Sequence, residues 1–307
     1  MSRVLGNNSL ITNFESWFIP IDILTIVCIL LSVILAMILL LIIIFDKTCH
    51  TVPMMLVANS CFAGIVFGFL IFSIRLFTLE NDLRRIAYKD FLCSFRGYFG
   101  YGICSIQNCS YLLQSIYRFV SVVYPTRLFY QSARFQLFLI CLTWIFGFLY
   151  PIAFLFTGEI VYNVDNQICQ LALQLSFSII YMASCAYIIP VSMTMFIYLK
   201  LVRYIHQMSK HVVPMNRLLR ALRELKMVRR LFILVTILFI LCFPYAMFIF
   251  MSFFWSIPKY HFRISYVFID VSYVFVIIAL LQFTDPLKTP ILRRINRRPN
   301  MAVATMT

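Results

Sequence analysis

Read as a pattern of apolar and charged positions, the chain separates into long runs without charge. Six of them are Ile23–Phe45, Thr48–Ile74, Gly97–Tyr117, Phe135–Gly158, Asn166–Leu199 and Leu231–Pro258. A seventh, Ile264–Pro286, is interrupted by Asp270 near one end and Asp285 near the other. About 20 apolar residues in a helix cross the roughly 30 Å hydrocarbon layer of a bilayer. Each run has that length, and the period-2 alternation of a membrane barrel is absent. The pattern predicts an all-α membrane protein, a bundle of seven transmembrane helices. Residues 1–18 are then an outer tail, 19–287 the helical domain and 288–307 a short tail on the other side. The first 18 residues lack the apolar segment and small-residue cleavage site of a signal peptide, so the first span is expected to serve as an uncleaved anchor.

Composition agrees. The chain is 63% hydrophobic and 12% charged, with mean hydropathy +0.93, whereas a soluble domain is about half apolar and a quarter charged. The distribution of charge then orients the bundle. With the N-terminus outside, the inner segments hold 18 of the 26 lysines and arginines, nine of them between Lys200 and Arg230 and five between Lys288 and Arg298. The excess of basic residues on the cytoplasmic side selects this orientation, with the C-terminus inside. The net charge of +15 thereby becomes a property of loops facing anionic lipid, and nucleic-acid binding is not needed to explain it.

Seven of the ten cysteines fall inside the spans, where a thiol is usually a small apolar filler. Cys49 lies in the first inner loop. Only Cys93 and Cys169 fall on the outer, oxidising side, so a bridge is expected between the top of span 3 and the segment joining spans 4 and 5. No Cys/His cluster has metal-ligand spacing, and no metal or cofactor is expected. Asn7-Asn8-Ser9 is a glycosylation sequon on the outer tail. A second, at Asn108, lies inside span 3 and is expected to stay unmodified.

Particular residues then make the reading more specific. Cys93 and Arg118 are 25 positions apart, about 37 Å along a helix, which places them at opposite faces of span 3. Trp144 stands in span 4. Pro190 stands in span 5, with Tyr198 eight residues later. Pro244 stands in span 6 within F-I-L-C-F-P-Y, and Asp285-Pro286 ends span 7 in T-D-P-L-K-T. In order and depth these match the marks of the rhodopsin-like G-protein-coupled receptors, which the chain resembles from about Ile19 to Arg298. The resemblance implies a plasma-membrane receptor whose span 6 moves outward at the inner face to admit a heterotrimeric G protein. Pro190 and Pro244 would be helix kinks, while Arg118, Tyr198, Asp285 and Pro286 would belong to the coupling and switch machinery. Glu224 is 20 residues before Pro244 and corresponds to the acid that pairs with the span 3 arginine at rest. By its own surroundings it is equally a solvated acid among Arg223 and Lys226.

The chain also departs from the family pattern. Tyr117 and Phe119 flank Arg118 where the family has an acid and a tyrosine. Gly64 stands at the aspartate of span 2 that helps bind sodium, leaving Gln107, Asn108 and Asp285 as polar groups near that depth, so a sodium site is disfavoured. Cys242 replaces the span 6 tryptophan, Thr289 the tyrosine of span 7, and span 1 lacks its asparagine. The cytoplasmic tail has no cysteine for a lipid anchor, although Ile291–Arg298 has the pattern of a short amphipathic helix on anionic lipid.

On the ligand side Gly100 stands where amine receptors carry an aspartate, and Ala279 where opsins carry the retinal lysine. Arg75, Arg96, Tyr101, Tyr245, Asp270 and Tyr273 are the candidate pocket residues. An arginine there either pairs with an anionic ligand group or snorkels to the outer interface. The short outer tail points to a small molecule or short peptide as ligand. Two other readings remain beside a coupled receptor. One is a receptor-like binding protein that does not couple. The other is a transporter or channel, against which stands the absence of an internal repeat. No paired catalytic carboxylates, Ser-His-Asp ordering or zinc-protease motif is present, so an enzyme is not expected.

Overall fold

The computed structural model describes residues 10–11, 15–173, 176–210, 222, 225, 229, 232, 233, 236, 237, 240, 243–252, 254 and 258–283. Helix α1 (Phe18–Phe45) carries a proline only in its first turn, where no backbone hydrogen bond is lost. Helix α2 (Val52–Arg84) starts after Thr51 with proline in its first turn and stops at Arg85, which adopts the left-handed conformation at φ 55°. Helix α3 (Cys93–Val123) follows. Helix α4 (Ala133–Leu149) is capped by the Ser132 hydroxyl, which accepts from the Phe135 amide, and Pro151 prevents its continuation. A short helical turn, Ile152–Phe156, completes that span. Helix α5 comprises Phe177–Ala183 and Ile189–Lys210, joined by a π turn over Ser184–Ile188. Residues 243–251 form the continuous described part of α6. Helix α7 is His261–Phe283.

Among the described residues five helices are long and apolar enough to cross a membrane. Their outward faces are apolar: Ile23, Val27, Ile34 and Leu41 of α1 are all exposed. Such faces suit lipid, and helix association there depends on close packing and small residues rather than on amphipathicity. The contact of α3 with α4 shows this. A Cβ on Gly102 would stand 2.9 Å from the Gly147 carbonyl oxygen, and one on Gly147 would stand 2.3 Å from Ile106 Cγ1.

Two small sheets cap one end of the bundle. Strand β1 (Leu10–Ile11) pairs antiparallel with β2 (Ile86–Ala87). Strands β3 (Ile160–Asn163) and β4 (Ile168–Leu171) form a hairpin in the register Ile160 with Leu171 and Asn163 with Ile168. This corrects the expected start of span 5. The charge-free run from Asn166 includes β4, and helix begins only at Phe177. All four residues of β4 are buried and carry no charge, and three of them, Ile168, Cys169 and Leu171, are apolar, so the strand reads as an extension of the apolar run.

Candidate functional site: a cavity beneath the hairpin and its ionic surround

The hairpin is held over the bundle by covalent and polar contacts. Cys93, the first residue of α3, is bridged to Cys169 in the middle of β4, as expected from their shared outer placement. The next residue, Gln170, accepts from the Tyr101 hydroxyl of α3 and donates to the Tyr266 hydroxyl of α7. The Leu171 amide donates to Tyr101 Oη at 3.0 Å. One strand thus joins two helices that are remote in sequence.

Beneath it lies a cavity of about 360 Å³, with walls drawn from α2, α3, α5, α6 and α7. That volume lies within the range of small-molecule sites. Four of the candidate pocket residues, Arg96, Tyr101, Tyr245 and Tyr273, line it. The walls run along α3 from Arg96 to Tyr111, fifteen positions or about 22 Å of helix. On the α5 side the π turn contributes Ala186, Tyr187 and Ile188. Pro190 has no amide hydrogen for the Ala186 carbonyl, and Asn108 Nδ2 of α3 donates to that carbonyl at 2.8 Å instead. The irregular turn is therefore tied to α3 at the cavity wall.

Arg75 and Asp270 are placed elsewhere. They bond each other at 3.0 and 2.8 Å and are 3% and 2% exposed. They belong to a group of five buried charges. Arg263 donates to both oxygens of Asp82 at 2.6 and 2.9 Å. Asp22 of α1 lies between the two arginines, 3.7 Å from Arg75 and 3.5 Å from Arg263. Gln167, at the hairpin turn with φ 55°, donates to Asp82 at 2.6 Å. The Arg263 guanidinium also faces the Phe18 ring at 3.9 Å. Asp22, Asp82 and Arg263 were not among the predicted site residues. The sequence signal was an acid or arginine near the outer end of each of three spans, but only the packing of α1, α2 and α7 shows that these ends converge. At the rim, Arg96 is held by Asp90 at 2.7 Å and lies over the Phe77 ring.

Among the described residues the lower end of the cavity is polar without charge. Gln107 Nε2 donates to the Tyr111 hydroxyl at 2.5 Å. Gln107 Oε1 and the Tyr273 hydroxyl are both buried and have no hydrogen-bond partner among the described residues. Both border Gly64: a Cβ there would stand 2.8 Å from Tyr273 Oη and 3.6 Å from Gln107 Oε1. Nearby, Gln114 donates to the Ser60 hydroxyl, which Ser110 also meets, and Trp144 Nε1 donates to Asn59 Oδ1 at 2.9 Å.

At the opposite end of α3, Arg118 is 8% exposed. Tyr198 stacks on Phe232 with centroids 4.3 Å apart and packs beside Val122, Leu201 and Ile205. Pro190 is buried and Pro244 half-buried within their helices. Asn7, Glu224, Asp285 and Pro286 lie outside the described residues.

The family model described as 7 transmembrane receptor (rhodopsin family) matches residues 35–287. No curated protein matches the sequence. Among solved structures, the crystal structure of squid rhodopsin superposes with a TM-score of 0.76 at 15% identity, covering 94% of this chain and 91% of that one. At that identity the likeness is one of fold.

Proposed function

The chain belongs to the rhodopsin family of seven-transmembrane receptors, and from that premise we propose that it is a plasma-membrane receptor coupling an extracellular small molecule to a heterotrimeric G protein. The cavity beneath the disulfide-held hairpin carries this reading, because its 360 Å³ suits a small molecule better than a peptide. Ligand contacts reach α3, α5, α6 and α7 together, and a ligand shifts a conformational equilibrium by its differential affinity for the two states. Outward movement of span 6 would open the inner face to the G protein, with Arg118, Tyr198, Glu224, Asp285 and Pro286 as the switch and contact residues. Residues 1–18 would form the outer tail, glycosylated at Asn7. The tail 288–307 would lie on anionic membrane lipid.

The test is nucleotide exchange on purified heterotrimeric G proteins by the receptor in lipid nanodiscs, with and without Glu224→Ala. Exchange above the receptor-free rate, raised by the substitution, is the expected result. Tyr117 leaves Arg118 without an adjacent acid, which concentrates the resting restraint on Glu224. If no G protein responds to either form, the coupled reading fails and a binding protein that does not couple takes its place.

A further inference from the structure

We propose that the ligand is an uncharged lipophilic alcohol, bound with its hydroxyl at the cavity floor on Gln107 and Tyr273 and its apolar body beneath the hairpin. The inference rests on the receptor reading above and names the chemistry of that site.

Charge is excluded first. Arg96 is the one charged side chain among the described lining residues, and Asp90 already holds it. The neighbouring Arg75 and Arg263 are held by Asp270 and Asp82. A carboxylate ligand would have to displace one of these acids, and removing one member of a buried pair leaves an uncompensated charge. An ammonium ligand would meet no acid among the described lining residues, since Asp22, Asp82 and Asp270 all lie outside the cavity wall. The remaining walls are chiefly aliphatic and aromatic, with Phe67, Ile71, Met182, Ile249 and Val276 among them.

The floor then selects the polar group. A buried polar atom without a partner is unfavourable, and most such atoms in folded proteins are satisfied. Here two lie side by side at Gly64: an acceptor, Gln107 Oε1, and a phenol, Tyr273 Oη. Tyr273 is 7% exposed. A ligand hydroxyl donates to the first and accepts from the second. Because a hydroxyl both donates and accepts, it also satisfies the reversed orientation of the Gln107 amide. With Gln107 Oε1 facing the site, an ether or ketone, which accepts only, would leave that oxygen unmet, whereas a hydroxyl serves both orientations. At the roof, by contrast, Tyr101, Gln170 and Tyr266 bond one another. Gln107 lies fourteen positions below Cys93 on α3, about 21 Å along the helix, so the head is deep and the apolar body fills the space above.

The experiment uses the full chain in nanodiscs and four probes of one length: 1-decanol, decane, decanoate and decylamine. Binding is read as a rise in melting temperature, since a ligand of the native state stabilises it by mass action. Decanol is expected to bind at least tenfold more tightly than the other three. Tyr273→Phe and Gln107→Leu should each weaken decanol about tenfold, the scale of one buried hydrogen bond, and leave decane unchanged. Tyr273→Phe removes a hydroxyl that has no hydrogen-bond partner among the described residues, so the melting temperature without added probe should hold or rise. A fall there would assign Tyr273 a structural role and overturn the inference. Tighter binding of decanoate or decylamine, equal binding of decanol by the variants, or binding of no probe would also overturn it. Nucleotide exchange is measured separately: decanol binding without exchange sinks the coupled reading alone, and exchange driven by decanoate sinks the alcohol alone.

Discussion

The outer ends of α1, α2 and α7 hold five buried charges, whereas the cavity bounded by α2, α3, α5, α6 and α7 is lined, among the described residues, by one, and that one is paired. The two regions share α2 and α7 and the same hairpin, which contributes Gln167 to the first and Gln170 to the second. In the first, charge is consumed in joining helices. In the second, the described polar lining other than Arg96 is neutral. An arginine in the upper part of a receptor-like bundle therefore says little about ligand charge until its own partner is known.

Several perturbations separate the two regions. The largest effect is expected from Arg75→Met, which leaves Asp270 buried without its guanidinium. Such a loss destabilises by about 3–5 kcal/mol and should appear as a steep fall in melting temperature. The double variant Arg75→Met with Asp270→Leu should recover part of it, because both desolvation penalties of that pair are removed while Asp22 keeps only Arg263. If the double variant is no better than the single one, the pair is not the joint it is described as. Next is Cys93→Ser with Cys169→Ser. Loss of the bridge should cost about 2–5 kcal/mol, and decanol affinity should fall as the roof loosens. Unchanged affinity would show that the roof is held by Gln170 and its tyrosines alone.

A smaller effect is expected from Gly64→Ala. Its Cβ would crowd the Tyr273 hydroxyl at 2.8 Å, and overpacking costs about 1–3 kcal/mol. The variant should lose decanol binding more than it loses stability; the reverse order would place Gly64 in packing alone. The smallest belongs to Lys259, which meets Asp165 at 3.3 Å on the outer surface with both side chains 46% exposed. That hydrogen bond and charge raise the lysine's pKa, but an exposed pair adds little to stability. Lys259→Met should leave the melting temperature unchanged, in contrast with Arg75→Met.

Much of the fold was legible from the residues. Lipid demands long helices without charge, and runs such as Ile23–Phe45 meet that demand in composition alone. Cys93 and Cys169 were identifiable as a pair because only those two fall on the outer side. The hairpin was not legible. With all four β4 residues buried, Ile168–Leu171 looks the same as the start of a membrane helix. Tyr101, Tyr245 and Tyr273 were placed on the ligand side from depth, and they line the cavity. Arg75 and Asp270 were placed there by the same argument and pair with each other instead.

Sequence by itself determined the class of fold and the approximate height of residues such as Cys93, Tyr101 and Arg118 along α3, because bilayer thickness converts position along a span into height. It could not determine which side chains at one height meet. The lipid-facing sides of the spans are apolar and their buried sides mix apolar with polar residues, so no hydrophobic stripe marks the inward side, and rotation of each helix is decided by close packing such as that of Gly102 on Gly147. Only the assembled bundle brings Asp22, Arg75, Asp82, Arg263 and Asp270 into one cluster. Only there do Gln107 and Tyr273 come together at Gly64, since each belongs to a different helix and neither carries a local signal of the other.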